Sequence, residues 1–303
     1  MTHATAFAPG SIGNVGPGFD VLGLAVDGIG DRVTVELTRD ASSRVADITG
    51  RDAELVPRDA QRNCAVIAAE AYLRPFGYRA VVTIEKGLAL AGGMGGSAAS
   101  SVAGAYAAGL ALGQAPNVRD VLAAALEGEA AVAGRHLDNI APSVVGGLAL
   151  VRSVEPIDVV RLNVAADWWI ALVTPRVRIQ TKEARALLPD ACDRVTWIQQ
   201  MANTTALAHA FATGDGELLR RALDDRYAEP RRAPLIPRFA EAKRAALDAG
   251  AFGGSISGSG PTLFAITADE RIARACADAM RQAFGGNADV HVGAVAKEGV
   301  RRA

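Results

Sequence analysis

Gly92-Gly93-Met94-Gly95-Gly96-Ser97, followed without a break by Ala98-Ala99-Ser100-Ser101-Val102-Ala103, is a glycine loop that feeds straight into a helix. Alanine is the strongest helix former and serine suits a capping position, so the composition predicts a helix over 97–112. Successive free backbone N–H groups and the helix's positive end then converge on one spot, a ready site for a phosphate. A lone glycine cluster is more often a tight turn. Two further glycine-rich segments, Gly10–Gly23 and Gly253–Gly260, have no such helix behind them and, taken alone, read as turns.

Outward from the loop, Arg32-Val33-Thr34-Val35-Glu36-Leu37-Thr38 alternates as a strand does, and Arg79–Ile84 reads as a strand running into the glycine loop. Cys64, Ile67, Ala68 and Ala71 recur at helical spacing, and another helix is expected over 119–133. Gly146–Val151 reads as turn then strand, and Trp169–Val173 as a short buried strand. The second half has helices near 194–212, 217–226 and 238–249, then a strand at 262–266. It closes with a helix presenting Ile272, Ala275, Cys276 and Ala279, and a strand at 290–295. Strands and helices mix without regular βαβ alternation, so the fold class is α+β. The length suits two lobes, divided here into 1–155 and 156–303, and the lack of a linker suggests that they pack together. Small-molecule sites favour such interfaces.

The chain has 303 residues, half of them hydrophobic, and Lys+Arg 32 against Asp+Glu 33 leaves a net charge of −1. Disorder is excluded for the chain as a whole, and nothing in this balance points to a nucleic acid or an anionic membrane as partner. Cys64, Cys192 and Cys276 are too few and too scattered for a disulfide framework or a zinc site. With a start, Met1-Thr2-His3-Ala4-Thr5, that lacks signal-peptide character, the expectation is a soluble, cytoplasmic protein. No G-x-x-x-x-G-K-[ST] occurs, and Gly13-Asn14-Val15-Gly16-Pro17-Gly18 has the wrong glycine order for a dinucleotide fingerprint. Asn14 and Asp20 bracket a Gly-Pro-Gly turn and by themselves read as turn capping. Arg220, Arg221, Arg226, Arg231, Arg232 and Arg238, interleaved with acids, read mostly as a solvated face.

In order along residues 6–266, these segments resemble the GHMP kinase superfamily and, within it, the homoserine kinase family. Ala8-Pro9-Gly10-Ser11-Ile12-Gly13-Asn14-Val15-Gly16-Pro17-Gly18-Phe19-Asp20-Val21-Leu22-Gly23 resembles the first motif, and Gly93-Met94-Gly95-Gly96-Ser97-Ala98-Ala99 the phosphate loop. Glu129 to Pro142 resembles the stretch with a magnesium-binding Glu and an H-x-D-N-x-A-P signature. Thr181, Arg185 and Pro189, the segment Glu229–Pro237, and Ser257-Gly258-Ser259-Gly260-Pro261-Thr262 complete the likeness. Gly96 departs from the family, which has a Ser there; Ala89 stands for a Pro and Arg231 for a Tyr.

The resemblance implies an N-terminal lobe like ribosomal S5 domain 2 and a C-terminal ferredoxin-like lobe, with ATP and Mg²⁺ in the cleft. It implies phosphorylation of the L-homoserine hydroxyl, a step towards threonine, and allows a homodimer as well as a monomer. Gly92, Gly93, Met94, Gly95, Gly96, Ser97 and Ala98 would cradle the triphosphate, and Ser97 with Glu129 would hold Mg²⁺. Asp20 would take the substrate ammonium, and Arg185 with Arg232 the carboxylate. Asn14 and Asn139 would orient the hydroxyl, with Thr181 assisting. Two alternatives are a kinase for an alcohol without a charged amino-acid head, such as mevalonate, and a non-catalytic sensor, for which the missing hydroxyl at Gly96 is the best support.

Overall fold

The computed structural model describes residues 3–303; Met1 and Thr2, read above for signal-peptide character, lie outside the described residues. The first half carries β1 (His3–Gly13), β2 (Leu22–Thr38), β3 (Arg44–Gly50), α1 (Cys64–Leu73), β4 (Arg79–Lys86) and α2 (Gly96–Ala111). It continues with α3 (Val118–Ala130), α4 (Ile140–Val145), β5 (Leu148–Val154) and β6 (Ile157–Leu162). The second half carries β7 (Trp169–Pro175), α5 (Thr181–Ala186), α6 (Arg194–Thr213), α7 (Gly216–Ala222), α8 (Glu229–Arg232) and α9 (Phe239–Asp248). It ends with β8 (Gly253–Ile256), β9 (Leu263–Thr267), α10 (Glu270–Ala283), β10 (Ala288–Ala294) and β11 (Arg301–Arg302).

The alternating apolar residues of β2 bury Val33 and Val35 while its neighbours pair on both sides. The first sheet runs β11-β1-β2-β4-β3, and β5 joins β2 with β6 outside it. At seventeen residues β2 is long enough to serve two partners, β5 at Leu22–Leu24 and β4 at Arg32–Thr38. A register shift between Pro9 and Gly10 bends β1, and Ser11 beyond the shift donates its N–H to the Met94 carbonyl. Helix α2, nearly all Ala, Gly and Ser, is buried along most of its length against α1, α3, β1 and β2. Small side chains permit that close approach and fix where the helix begins.

The second sheet has the order β10-β7-β9-β8, all antiparallel. Its path β7-α9-β8-β9-α10-β10 is the split βαβ, ferredoxin-like arrangement, with α5 to α8 inserted after β7. Ala171, Val173, Leu263 and Ala265 face Ala242, Ala246, Cys276 and Met280 in its core. The larger core spans both halves: Leu207, Phe211 and Trp168 belong to the same cluster as Leu24 and Val102.

Three expectations need correction. Ser97 does not cap α2; Gly95 does, in the left-handed conformation, with no side-chain cap. The buried face of α10 is Ala273, Cys276, Ala277 and Met280, whereas Ala275 is exposed, because the helix is rotated from the face read in the sequence. The change of sheet falls between Leu162 and Trp169, so a division at 155/156 passes through the β5–β6 hairpin.

Candidate active site

The glycine loop lies between β4 and α2. Gly95 has φ 65°, and a Cβ there would lie 2.3 Å from Ser11 Oγ, so glycine is required on both counts. The first N–H groups of α2 have no intrahelical acceptor and open towards the cleft. From below, Lys86 Nζ donates to the Gly96 carbonyl at 3.0 Å and Ser100 Oγ at 2.9 Å, and it pairs with Asp31. Asp31, fully buried, also accepts from Gly87 N, Leu88 N and Ser100 Oγ. From the other lobe, Ser257 Oγ donates to the Gly93 carbonyl and Thr262 Oγ1 to that of Gly92. The third glycine segment is thus a clamp on the first lobe's loop and not an isolated turn.

Two carboxyls lie beside this cradle. Glu129, on α3, is buried near Ser97, and its Oε2 has no partner. Burial pushes it up to about 7; the nearby Ser97 hydroxyl and the Lys86 charge pull down, and the Asp138 charge adds to the rise. Asp138 is also buried, and its own burial and the Asp20 charge push it up to about 7 against the pull of Arg185. Its neighbour Leu137 is inside as well.

Asp20 sits in a loop held under strain: Asn14, Val15, Gly16 and Asp20 all have positive φ, Val15 being β-branched. Asn14 pins that loop, donating to the Gly258 carbonyl and accepting from Asp20 N, both at 3.0 Å. Arg185 Nη2 reaches both oxygens of Asp20, at 2.7 and 3.0 Å, while its buried Nε has no partner. Arg232 is only 3% exposed and is held by the carbonyls of Gly258 at 2.8 Å and Ala184 at 3.4 Å. Burial, and then the Arg185 charge, lower its pKa; His136 is lowered by the same two causes. Thr181 Oγ1 lies 3.3 Å from Ser259 Oγ, and Asn139 Oδ1 accepts from Ser11 Oγ at 3.0 Å.

One cavity between the lobes gathers Asn14, Asp20, Gly92, Gly93, Gly95, Gly96, Ser97, Glu129, Asn139, Thr181, Arg185 and Arg232. Met94 and Ala98 do not line it: their side chains are buried in the core. Lys86, His136, Asp138 and Ser259 line it without having been singled out as site residues. His136 and Asp138 are visible in the signature stretch, but Lys86 carries no signal, since a lysine ending an alternating strand reads as solvated.

Known proteins agree with this layout. The family descriptions "GHMP kinases N terminal domain" and "GHMP kinases C terminal" match residues 63–147 and 207–286. Fold and cleft therefore define a small-molecule kinase of the GHMP class. The chain is 41% identical over 287 residues to a homoserine kinase of Arabidopsis thaliana, covering 92% of this chain and 77% of that protein. It is 37% identical over 317 residues to a homoserine kinase of Chloroherpeton thalassium, covering 99% of each. The crystal structure of homoserine kinase from Cytophaga hutchinsonii superposes with a TM-score of 0.94 at 39% identity, covering 100% of this chain and 98% of that one. The chain belongs to the homoserine kinase family.

Proposed function

We propose that the cleft transfers the γ-phosphoryl group of ATP to the side-chain hydroxyl of L-homoserine, giving ADP and O-phospho-L-homoserine. The observation that carries this reading is one cavity holding both the start of α2 and the Asp20–Arg185 pair with buried Arg232. Phosphoryl transfer through a loose transition state needs positioning and charge neutralisation more than covalent help. The backbone of Gly92, Gly93, Gly95, Gly96 and Ser97, which lines the cavity, would offer its N–H groups to the phosphates.

A zwitterion needs an anion and a cation side by side, and Asp20 with Arg185 is such a couple, self-paired at 2.7 Å. Homoserine's carboxylate would join Arg185, whose Nε lacks a partner, and Arg232. Its ammonium would lie between Asp20 and Asp138, the latter without a cation partner of its own among the described residues. Asn139 and the second amide hydrogen of Asn14 would hold the hydroxyl in line, with Thr181 beside it. No side chain is required to take the hydroxyl proton, which leaves with the transferred phosphoryl group or to solvent.

The donor set also fits Mg²⁺. Glu129 Oε2 is buried without a partner beside the Ser97 hydroxyl, and a hard cation that keeps several waters needs few protein oxygens. Among the described residues no group of three or more His, Cys, Asp or Glu forms a metal cage, consistent with an ion shared with phosphates and water. Bound there by Ser97 and Glu129, Mg²⁺ would neutralise phosphate charge. Among the described residues no helix is long and apolar enough to cross a membrane. The three cysteines are free, which suits a reducing compartment such as the cytoplasm.

Mass spectrometry of the reaction products tests this reading. The purified protein with Mg-ATP and L-homoserine should give phosphohomoserine and ADP in equal amounts. ADP without a phosphorylated amino acid would overturn it.

A further inference from the structure

Phe19 precedes Asp20 in the strained loop and has no polar atom to offer a substrate. Yet the guanidinium carbons of two arginines from separate segments, Arg185 on α5 and Arg232 on α8, lie 5.3 and 5.4 Å from its ring centroid. Both distances are within the range at which a cation is attracted to the ring's quadrupole. Tyr227 meets the same ring edge-on at 5.1 Å and fixes its tilt. The arginines' hydrogen bonds tie Arg232 to the main chain beside Arg185, at Ala184, but none joins one guanidinium to the other or sets the distance between them. Arg185 is tied to Asp20, itself the substrate couple, and Arg232 to two main-chain carbonyls. Two like charges in one half-buried site repel, and Arg185 is among the causes that depress the Arg232 pKa. An aromatic ring attracts both at once and sets their separation without neutralising either, as a carboxylate would.

We infer that Phe19 is a positioning residue that holds Arg185 and Arg232 as a matched pair for one carboxylate, and so makes the acceptor site selective for α-carboxylates, an inference that rests on the homoserine reading. The ring acts through the arginines. Its loss is therefore felt only by acceptors that carry a carboxylate.

The test compares L-homoserine with 3-aminopropan-1-ol, the same amino alcohol without its carboxylate. In Phe19→Leu, which keeps the hydrocarbon bulk and removes the π face, KM for homoserine should rise roughly tenfold. KM for ATP and kcat/KM for 3-aminopropan-1-ol should be unchanged, so the preference between the acceptors shrinks by the same factor. Phe19→Tyr, which keeps the ring, should behave as the unmodified protein. If Phe19→Leu does not fold, Phe19→pentafluorophenylalanine, alike in shape with the quadrupole reversed, should give the same split. An unchanged homoserine KM, or an equal loss with both acceptors, would overturn the inference. No homoserine turnover by the unmodified protein would instead overturn the reading on which it rests.

Discussion

Asp138 is the residue whose surroundings make the clearest demand on solution behaviour. Its carboxyl is pushed up to about 7 by burial first and the Asp20 charge second. A substrate ammonium favours the carboxylate, so binding homoserine expels the proton wherever Asp138 still holds one. The sign follows: affinity increases as pH rises towards about 7 and levels off above it. KM for homoserine should fall roughly tenfold between pH 6 and pH 8 at saturating Mg-ATP, and Asp138→Asn should flatten the profile. A profile that keeps its slope in Asp138→Asn would assign the titration elsewhere; Glu129, also near 7, is read separately from the Mg²⁺ dependence. Arg232→Lys, at the buried site held by Gly258 and Ala184, loses the planar fork and should cost roughly 1.5–3 kcal/mol in kcat/KM for homoserine. Arg231→Lys is the control: that side chain stacks on Tyr227 and donates to its carbonyl, away from the cavity lining, and steady-state kinetics should show little change. Arg232 was legible because a motif marks it off from the run of arginines around it. The signature marks Asp138 as well, but its burial was not legible, because burial is a tertiary fact and nothing local distinguishes a buried aspartate from an exposed one.

Among the elements, the start of α2 concentrates the geometry. Gly95→Ala forces a side chain into the left-handed region and towards Ser11 Oγ, so KM for ATP should rise on the order of tenfold while the sheet stays intact by circular dichroism. Gly96→Ser meets only the Ala89 carbonyl at 3.2 Å, Leu88 Cβ at 3.6 Å and Lys86 Nζ at 3.7 Å. Small adjustments suffice there, so it should fold normally and bind ATP at least as well. Beneath, Lys86→Met strands Asp31 as an unpaired buried charge and should cost about 3–5 kcal/mol of stability. Lys86→Met with Asp31→Asn should recover much of that loss in thermal unfolding. Alternation made β4 and the core of β2 legible and alanine-rich composition made α2 so, since each runs over several residues. The short β8, α5 and α8, four to six residues each, carry too few repeats to announce themselves, and partners distant in sequence decide them. The Gly10–Gly23 segment, taken alone, reads as a turn, but its first residues complete β1, because pairing with β2 overrides the low strand preference of glycine.

For the whole molecule, the two halves form one working unit because the second holds the first half's loop. Ser257 and Thr262 donate to the carbonyls of Gly93 and Gly92 respectively, and Gly258 N donates to the Gly13 carbonyl at 3.1 Å. Nucleotide and acceptor sites therefore share a single junction, lined by charges that suit a zwitterion; an acceptor without an ammonium would leave Asp138 with no cation to meet. The fold alone does not decide between such acceptors: the L. major mevalonate kinase has a TM-score of 0.70 to this chain at 14% identity. A coupled assay of ADP release decides, run with homoserine, with mevalonate and with no acceptor, each with Mg²⁺ and with excess EDTA. ADP should form with homoserine and Mg²⁺ and stay at background in every other arm. Comparable ADP release with mevalonate, without an acceptor, or in EDTA would contradict the assignment of this cleft to homoserine phosphorylation.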